Sequence, residues 1–271
     1  MKKLFYISLV LSLFSCSNGD DTTKDTPSPI VHTEKAYVYN TDGVGTVPKP
    51  KEYYEFTYEN GNLVNVKGRF LPVFFQMFNM FFSDLTTQLS YNDNKIKVSE
   101  LEFDDISKYD EYLYYMEKNR PQKVEYYYVD KDTGNSPIVY TKTYTYEQDR
   151  VKKTSIKFNN TANTEYATTY YYDDKNNLTK SEMFETGNGV TYQRTTTTYS
   201  DFDNAANPFK KLYLINDVFY EKSLSANNFR TKESVVERLN SNSTVPPKIS
   251  KRTWNYKYDA SGQVLLYFPV P

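Results

Sequence analysis

Five stretches of this chain share one grammar: a tyrosine, a few turn-forming residues, then an aliphatic residue. They read YEFTYENGNLVNV (54–66), LSYNDNKIKV (89–98), YTYEQDRVKK (144–153), YYYDDKNNLTK (170–180) and NYKYDASGQVLL (255–266). The step runs from Tyr58 to Leu63, Tyr91 to Ile96, Tyr146 to Val151, Tyr172 to Leu178 and Tyr258 to Val264. A strand ending in tyrosine, a tight turn and a strand opening on an aliphatic residue is a β-hairpin. Its recurrence along the chain makes a meander of antiparallel hairpins. The alternation inside the copies agrees. In YTKTYTY, Tyr140, Lys142, Tyr144 and Tyr146 share one face and Thr141, Thr143 and Thr145 the other. KVEYYYV puts Val124, Tyr126 and Tyr128 together, and TWNYKYD does the same for Trp254, Tyr256 and Tyr258. One aromatic face and one polar face suit a sheet with a single dry side. Aromatic residues make up 17% of the chain, and they favour a pleated, half-buried surface. The expected fold is all-β: an antiparallel meander of hairpins forming a curved sheet or a barrel-like structure.

Two stretches break the grammar. RFLPVFFQMFNMFFSDLTTQL (69–89) is the most apolar part of the chain after its N-terminus. Phe74, Phe75, Phe78, Phe81 and Phe82 fall at roughly helical spacing there, with Met77 and Met80 between them. The expectation is a short apolar insert or helical turn at 70–82, packed over the open face or mouth of the sheet. The other reading makes these phenylalanines a lid patch that meets a ligand, a lipid or a partner. The second break is DFDNAANPFKKLYLINDVFYEKSLSANNFRTKE (201–233). Pro208 stops strand pairing. Leu212, Leu214, Ile215, Val218 and Phe219 then supply a second short insert over 208–220, a helical turn that plugs or caps the sheet.

The N-terminus carries location. Met1-Lys2-Lys3 precedes an apolar run from Leu4 to Phe14, the pattern of a bacterial export signal. The run is shorter than the about 20 residues that cross a bilayer as a helix. Leu13-Phe14-Ser15-Cys16 resembles the lipobox of bacterial lipoproteins, with an aliphatic residue at −3, a small residue at −1 and then cysteine. The resemblance implies that the Cys16 thiol is alkylated with diacylglycerol, whose acyl chains include palmitate, and that the chain is cut so that Cys16 becomes the first residue. Lipidation also accounts for a single cysteine in an exported chain, where cysteines normally pair. Ser17, Asp20 and Asp21 follow, and an acidic pair in this place resembles the surface-export signal of Bacteroidetes lipoproteins. The expected organisation is a lipoprotein signal peptide at 1–15, a disordered tether at 16–34 rich in Asp, Thr, Ser and Pro, and a single β-rich domain at 35–271.

The Tyr-x-Tyr-Asp pattern resembles the YD repeats of secreted bacterial proteins, which are also β-hairpins. Asn207-Pro208-Phe209 followed by Ser225, Asn227 and Asn228 resembles a motif of uncharacterised Bacteroidetes outer-membrane and surface lipoproteins. That likeness spans most of residues 52 to 268. It implies a domain of unknown function, porin-like in fold, held at the outer membrane and facing the cell exterior.

Most familiar chemistries lack their residues. The one histidine, His32, lies in the tether, so no histidine-based triad can form in the β domain, and zinc ligands are too few. There is no P-loop and no dinucleotide fingerprint, so no cofactor is expected. A formal charge of −1 leaves no basic footprint, so nucleic acid is not an expected partner. DKDTGN (130–135) places Asp130 and Asp132 as a fragment of a calcium loop, without the distant bidentate glutamate. A plain hairpin turn explains it better.

Three functions remain. The first is a non-enzymatic binding or structural module, with outer-membrane lipid as partner through Cys16 and a glycan or an envelope or host protein as ligand. The second is a carrier of an apolar ligand inside a barrel-like sheet, with the Phe-rich segment as lid. The third is a carboxylate-based, glycan-acting enzyme, which needs two acids about 5–9 Å apart. Asp104-Asp105, Asp173-Asp174 and Asp201 with Asp203 are the acidic pairs for it, and their spacing also fits turns and solvated edges.

Overall fold

The computed structural model describes residues 33–42, 49–73, 78–101, 108–239 and 245–269. A short strand β1 (Lys35–Tyr37) and a helical turn α1 (Val38–Asp42) lead into the meander. Its strands are β2 (Tyr53–Glu59), β3 (Asn62–Val73), β4 (Phe78–Asn92), β5 (Lys95–Leu101), β6 (Lys108–Glu117) and β7 (Arg120–Asp130). They continue as β8 (Ile138–Glu147), β9 (Arg150–Phe158), β10 (Glu165–Tyr172), β11 (Leu178–Gly187) and β12 (Val190–Phe202). A long connection holding helix α2 (Asp217–Ser223) precedes β13 (Phe229–Arg238) and β14 (Lys248–Thr253). These 14 strands form one sheet in sequence order, and β1 and β14 do not pair, so the sheet is open. A two-stranded ribbon follows, β15 (Lys257–Tyr258) with β16 (Val264–Leu265).

Each tyrosine–aliphatic step of the sequence is a cross-strand pair. Tyr58 faces Leu63, Tyr91 faces Ile96, Tyr146 faces Val151, Tyr172 faces Leu178 and Tyr258 faces Val264. Met116 and Pro121 take the same places in the β6–β7 hairpin. Several turns have both central residues at positive φ, as at Asn60-Gly61 (49° and 78°) and Lys118-Asn119 (51° and 60°). That backbone matches the right-handed twist of the flanking strands.

The tyrosines also use their hydroxyls. Tyr91 donates to the Leu63 carbonyl at 2.8 Å, Tyr146 to the Pro121 carbonyl at 2.5 Å and Tyr172 to the Val151 carbonyl at 2.9 Å. Each of these bonds ties one hairpin to the one before it, which phenylalanine could not do. On the same face a ladder of rings crosses five strands. Tyr112, Tyr126, Tyr140, Phe158 and Tyr166 stand 4.9, 4.9, 5.3 and 5.2 Å apart in succession.

This inner face curls around α2. Phe219 lies 5.1 Å from Tyr54 on β2, while its neighbour Tyr220 lies 6.4 Å from Tyr170 on β10. In a flat sheet strands so far apart in the order would be separated by roughly 38 Å at ~4.8 Å per step. The core is therefore the space between the curved sheet and the connection 203–228, where Phe209, Leu212, Phe219, Tyr54 and Leu178 are fully buried. Asn216 caps α2, its Oδ1 accepting from the Val218 and Phe219 amides. The C-terminal segment leaves β14 and returns toward β1. Trp254 N donates to the Arg230 carbonyl, and Tyr37 N donates to the Leu266 carbonyl, each at 2.9 Å. The insert expected over 208–220 is thus present, with α2 as its helical part.

The expected insert or helical turn at 70–82 takes another form. Residues 70–73 close β3 and residues 78–82 open β4, with Phe70 opposite Phe81. Phenylalanines three and four apart suit a helix, but two facing strands satisfy the same residues once each finds a cross-strand partner. Phe81 packs against Tyr54 at 5.1 Å and against Gly68, whose φ of +101° makes a bulge. A Cβ on Gly68 would lie 2.5 Å from the Phe81 ring, so this close approach needs glycine.

The outer face carries one carboxylate with a strong pH signature. Glu125 accepts from Tyr115 and Tyr127 at 2.7 Å each and from Lys123 at 2.8 Å. Burial pushes its carboxyl up, but the hydrogen bonds from Lys123, Tyr127 and Tyr115 together outweigh this and bring it down to about 2. A depressed carboxyl stabilises the fold fully above the ordinary carboxylate range and loses that contribution as pH falls through about 2. Wild-type stability should therefore drop by about 1–2 kcal/mol from this group between about pH 5 and pH 2, after allowance for partial solvent screening. Urea denaturation of Glu125→Gln across that range should show a correspondingly flatter acid limb. Parallel limbs in the two proteins would refute the assignment.

Candidate functional site

The hollow with the most distinct chemistry lies on the inner face, between β8–β13 and α2. It has a volume of about 420 Å³. Its floor is set by register. Thr154, Thr168, Met183 and Thr195 form one cross-strand row, and Tyr170, Ser181, Thr197 and Ser234 form the next. Short hydroxyl side chains occupy positions that large rings fill elsewhere on this face. The space below α2 stays open for that reason. The floor hydroxyls bond in pairs: Thr154 with Tyr170 at 3.3 Å, Ser181 with Tyr199 at 3.1 Å and Thr197 with Ser234 at 2.9 Å.

The roof is α2. Glu221 faces the sheet from it, and Asp217, one turn earlier, stands at the rim with its side chain in solvent. Lys142 of β8 reaches Asp217 at 3.6 Å and lies 4.3 Å from the centre of the Tyr220 ring. Lys232 of β13 holds both Glu221 oxygens, at 2.6 and 2.7 Å. The Lys232–Glu221 pair ties α2 to β13 on one side of the trough, and the Lys142–Asp217 pair, whose carboxylate is solvent-exposed, marks the other. Tyr220 is 8% exposed, and burial pushes its phenol well above the ordinary range. Its hydroxyl is enclosed beside the Tyr170 hydroxyl. Lys142, Asp217 and Tyr220 also line a smaller hollow of about 120 Å³, which adds Glu100 and Tyr112. A third hollow, about 450 Å³, lies at the hairpin turns between Asn62, Tyr91, Asn119 and Lys211.

The Asn-Pro-Phe and Ser-x-Asn-Asn motifs lie beside this site and hold it in place. Asn207 donates to the Lys222 and Ser225 carbonyls at 2.7 and 2.8 Å and accepts from Phe209 N at 2.8 Å. Ser225 accepts from Leu178 N at 3.2 Å. Asn227 N donates to Asn177 at 2.8 Å, and Asn228 donates to both oxygens of Asp203 at 3.1 Å. The motif residues close the two ends of the connection onto each other and onto the Tyr172–Leu178 hairpin.

The residues singled out in the sequence stand elsewhere. Cys16, Ser17, Asp20, Asp21, Phe74 and Phe75 lie outside the described residues. Phe78 opens β4, Phe82 stands on β4 opposite Arg69, and Phe81 fills core space. Neither Phe81 nor Phe82 lines the trough. Asp130 Oδ1 accepts from the Asp132 and Thr133 amides at 3.0 and 3.2 Å, the geometry of a capped turn. Among the described residues no group of three or more His, Cys, Asp or Glu is placed to hold a metal. The trough residues carried one signal in the sequence: Lys142 interrupts an aromatic face, and a cation there needs a partner.

No described helix is long and apolar enough to cross a membrane, which says nothing of crossing by strands. No family model and no curated protein matches this sequence. Among solved structures, one similar chain is a porin-like protein from Bacteroides vulgatus, at 12% identity and a TM-score of 0.45, the match covering 73% of this chain and 88% of that one. Another is a porin-like protein from Bacteroides uniformis, at 14% identity and a TM-score of 0.45, covering 78% of this chain and 80% of that one.

Proposed function

We propose that this chain is a non-enzymatic binding module, anchored to the outer membrane by lipid on Cys16 and facing the cell exterior, and that it takes a polar ligand in the trough beneath α2. The trough itself carries the binding part of this reading: a half-open hollow of about 420 Å³ floored by hydroxyls and flanked by two ion pairs. That volume falls within the about 300–1,000 Å³ typical of small-molecule sites. The lipobox residues Leu13–Cys16 and the acidic pair Asp20-Asp21 support the anchor and the outward orientation. The apolar-carrier reading needs the Phe-rich segment as a lid, whereas Phe81 is spent on the core. For a carboxylate enzyme the smaller hollow offers Glu100 and Asp217, but Glu100 is engaged by Arg69 at 3.3 Å and the Asp217 side chain is 93% exposed. Neither has the dry, unpaired setting of a general acid.

The test is made on cells. Wild type should incorporate an alkynyl fatty acid, stay with the membrane and be cut when intact cells meet protease. Cys16→Ala should take up no label. A form in which an ordinary cleaved secretory signal replaces residues 1–16 should appear in the soluble fraction. Membrane retention of that form would overturn the anchor, and protection of the wild type from protease would overturn the orientation.

A further inference from the structure

We propose that the ligand of the trough is a neutral saccharide, a short one or the end of a longer chain; this rests on the trough being the binding seat. The first argument is the charge balance. Lys232 already holds both oxygens of Glu221, and Lys142 stands 3.6 Å from the solvent-exposed carboxylate of Asp217. An anionic or cationic ligand at the Lys232 end would have to break that pair or bring uncompensated charge beside it. A neutral ligand leaves the pair intact and can still use its spare capacity, since an ammonium has three donors and a carboxylate about four acceptor sites.

The second argument is the kind of hydrogen bonding on offer. Thr154–Tyr170, Ser181–Tyr199 and Thr197–Ser234 are hydroxyl pairs in which either oxygen can be the donor. Each hydroxyl has one donor and two acceptor sites, so every pair keeps acceptor capacity and can reverse its direction. Ligand groups that both donate and accept fit such a floor, and a saccharide presents a row of them. An apolar ligand of the same size would strip water from these hydroxyls without replacing its hydrogen bonds.

The third argument is aromatic surface. Tyr166, Tyr170 and Tyr220 line the trough and supply ring surface for the C–H faces of a sugar. A half-open trough of this volume admits a ligand that extends out of its mouth.

The experiment uses the full mature chain in detergent and calorimetric titration. The probes are a panel of neutral oligosaccharides, a panel of uronic-acid and sulfated oligosaccharides, and a long-chain fatty acid. At least one neutral oligosaccharide should bind. Thr154→Val and Thr197→Val, which keep the shape of the side chain and remove a floor hydroxyl, should each weaken it by about tenfold or more. Asn119→Ala, beside the hollow at the turns, should leave binding unchanged. If only a charged saccharide or the fatty acid binds, and the two trough substitutions weaken it, the seat stands and the neutral-saccharide assignment falls. If a neutral saccharide binds and both trough substitutions leave it unchanged, the trough reading itself falls. If no member of the three panels binds, the saccharide proposal is overturned.

Discussion

Replacing Asn207 by alanine is expected to cost about 3 kcal/mol, and replacing it by aspartate is expected to cost more. The side chain is 8% exposed and makes three hydrogen bonds, two as donor to the Lys222 and Ser225 carbonyls and one as acceptor from Phe209 N. Alanine would leave those three backbone groups buried and unpaired, at about 1–3 kcal/mol each before relaxation. Aspartate keeps the acceptor but turns the donor amide into an oxygen facing two carbonyls, with a buried charge in addition. The order Asn, then Ala, then Asp in decreasing stability is the informative result. A site of simple shape-filling would tolerate the near-isosteric aspartate better than alanine. Urea denaturation followed by fluorescence measures all three, with Trp254 as the chain's single tryptophan. A loss below about 1 kcal/mol for Asn207→Ala would mean that water reaches these carbonyls and that the motif is not a lock.

That lock connects the fold to the site. Ser225 binds the Leu178 amide, and Asn227 binds the Asn177 side chain, both at the turn of the β10–β11 hairpin. Asn207 holds the carbonyl end of α2 through Lys222. The helix that roofs the trough is thereby fixed at its C-terminal end by side chain to backbone bonds and along its length by Lys232–Glu221. Loosening Asn207 should displace the roof before it disturbs the far strands, whose contacts are the local pairs of a meander.

The meander was legible because its signals are local. Tyr58 and Leu63, or Tyr172 and Leu178, are separated by one turn, so a short window holds both the pair and the residues that bend the chain between them. The alternation in YTKTYTY likewise placed Tyr140 and Tyr144 on the inner face beside Lys142, where they belong. The Phe-rich run at 70–82 misleads because clustered aromatics fit two periods, and the deciding fact, Phe70 opposite Phe81, is a tertiary one. The second insert was legible from Pro208 and its apolar residues. The trough was not. Its floor comes from six strands and its roof from α2, and no window of the sequence contains Lys232 together with Ser181 and Thr154. The Asn-Pro-Phe motif could be seen, but its meaning lies in which carbonyls Asn207 meets.

Lys222→Ala is expected to destabilise the protein by about 3 kcal/mol, while Lys222→Met should cost about 1 kcal/mol. Lys222 closes α2 and is 3% exposed. Its ammonium lies 3.9 Å from the centre of the Trp254 ring, 4.8 Å from Phe229, 5.1 Å from Phe209 and 5.5 Å from Tyr256. It also donates to the Tyr256 hydroxyl at 2.8 Å. Two effects oppose each other here. A desolvated cation facing aromatic rings gains about 2 kcal/mol, and taking the ammonium out of water costs several kcal/mol. The net worth of the charge is therefore small, and the side chain stabilises the fold mainly by the volume it fills between the insert and the C-terminal segment. Alanine opens a cavity among four rings, which costs the transfer energy of the lost methylenes and the cavity itself. Methionine refills most of that space with a polarizable chain suited to aromatic surroundings. The alanine variant should also shift Trp254 emission to the red, as water enters beside the indole, whereas the methionine variant should not. Equal losses for the two variants would reverse the assignment: the cation would then be what holds the C-terminal segment to α2, and the packing around it would be secondary.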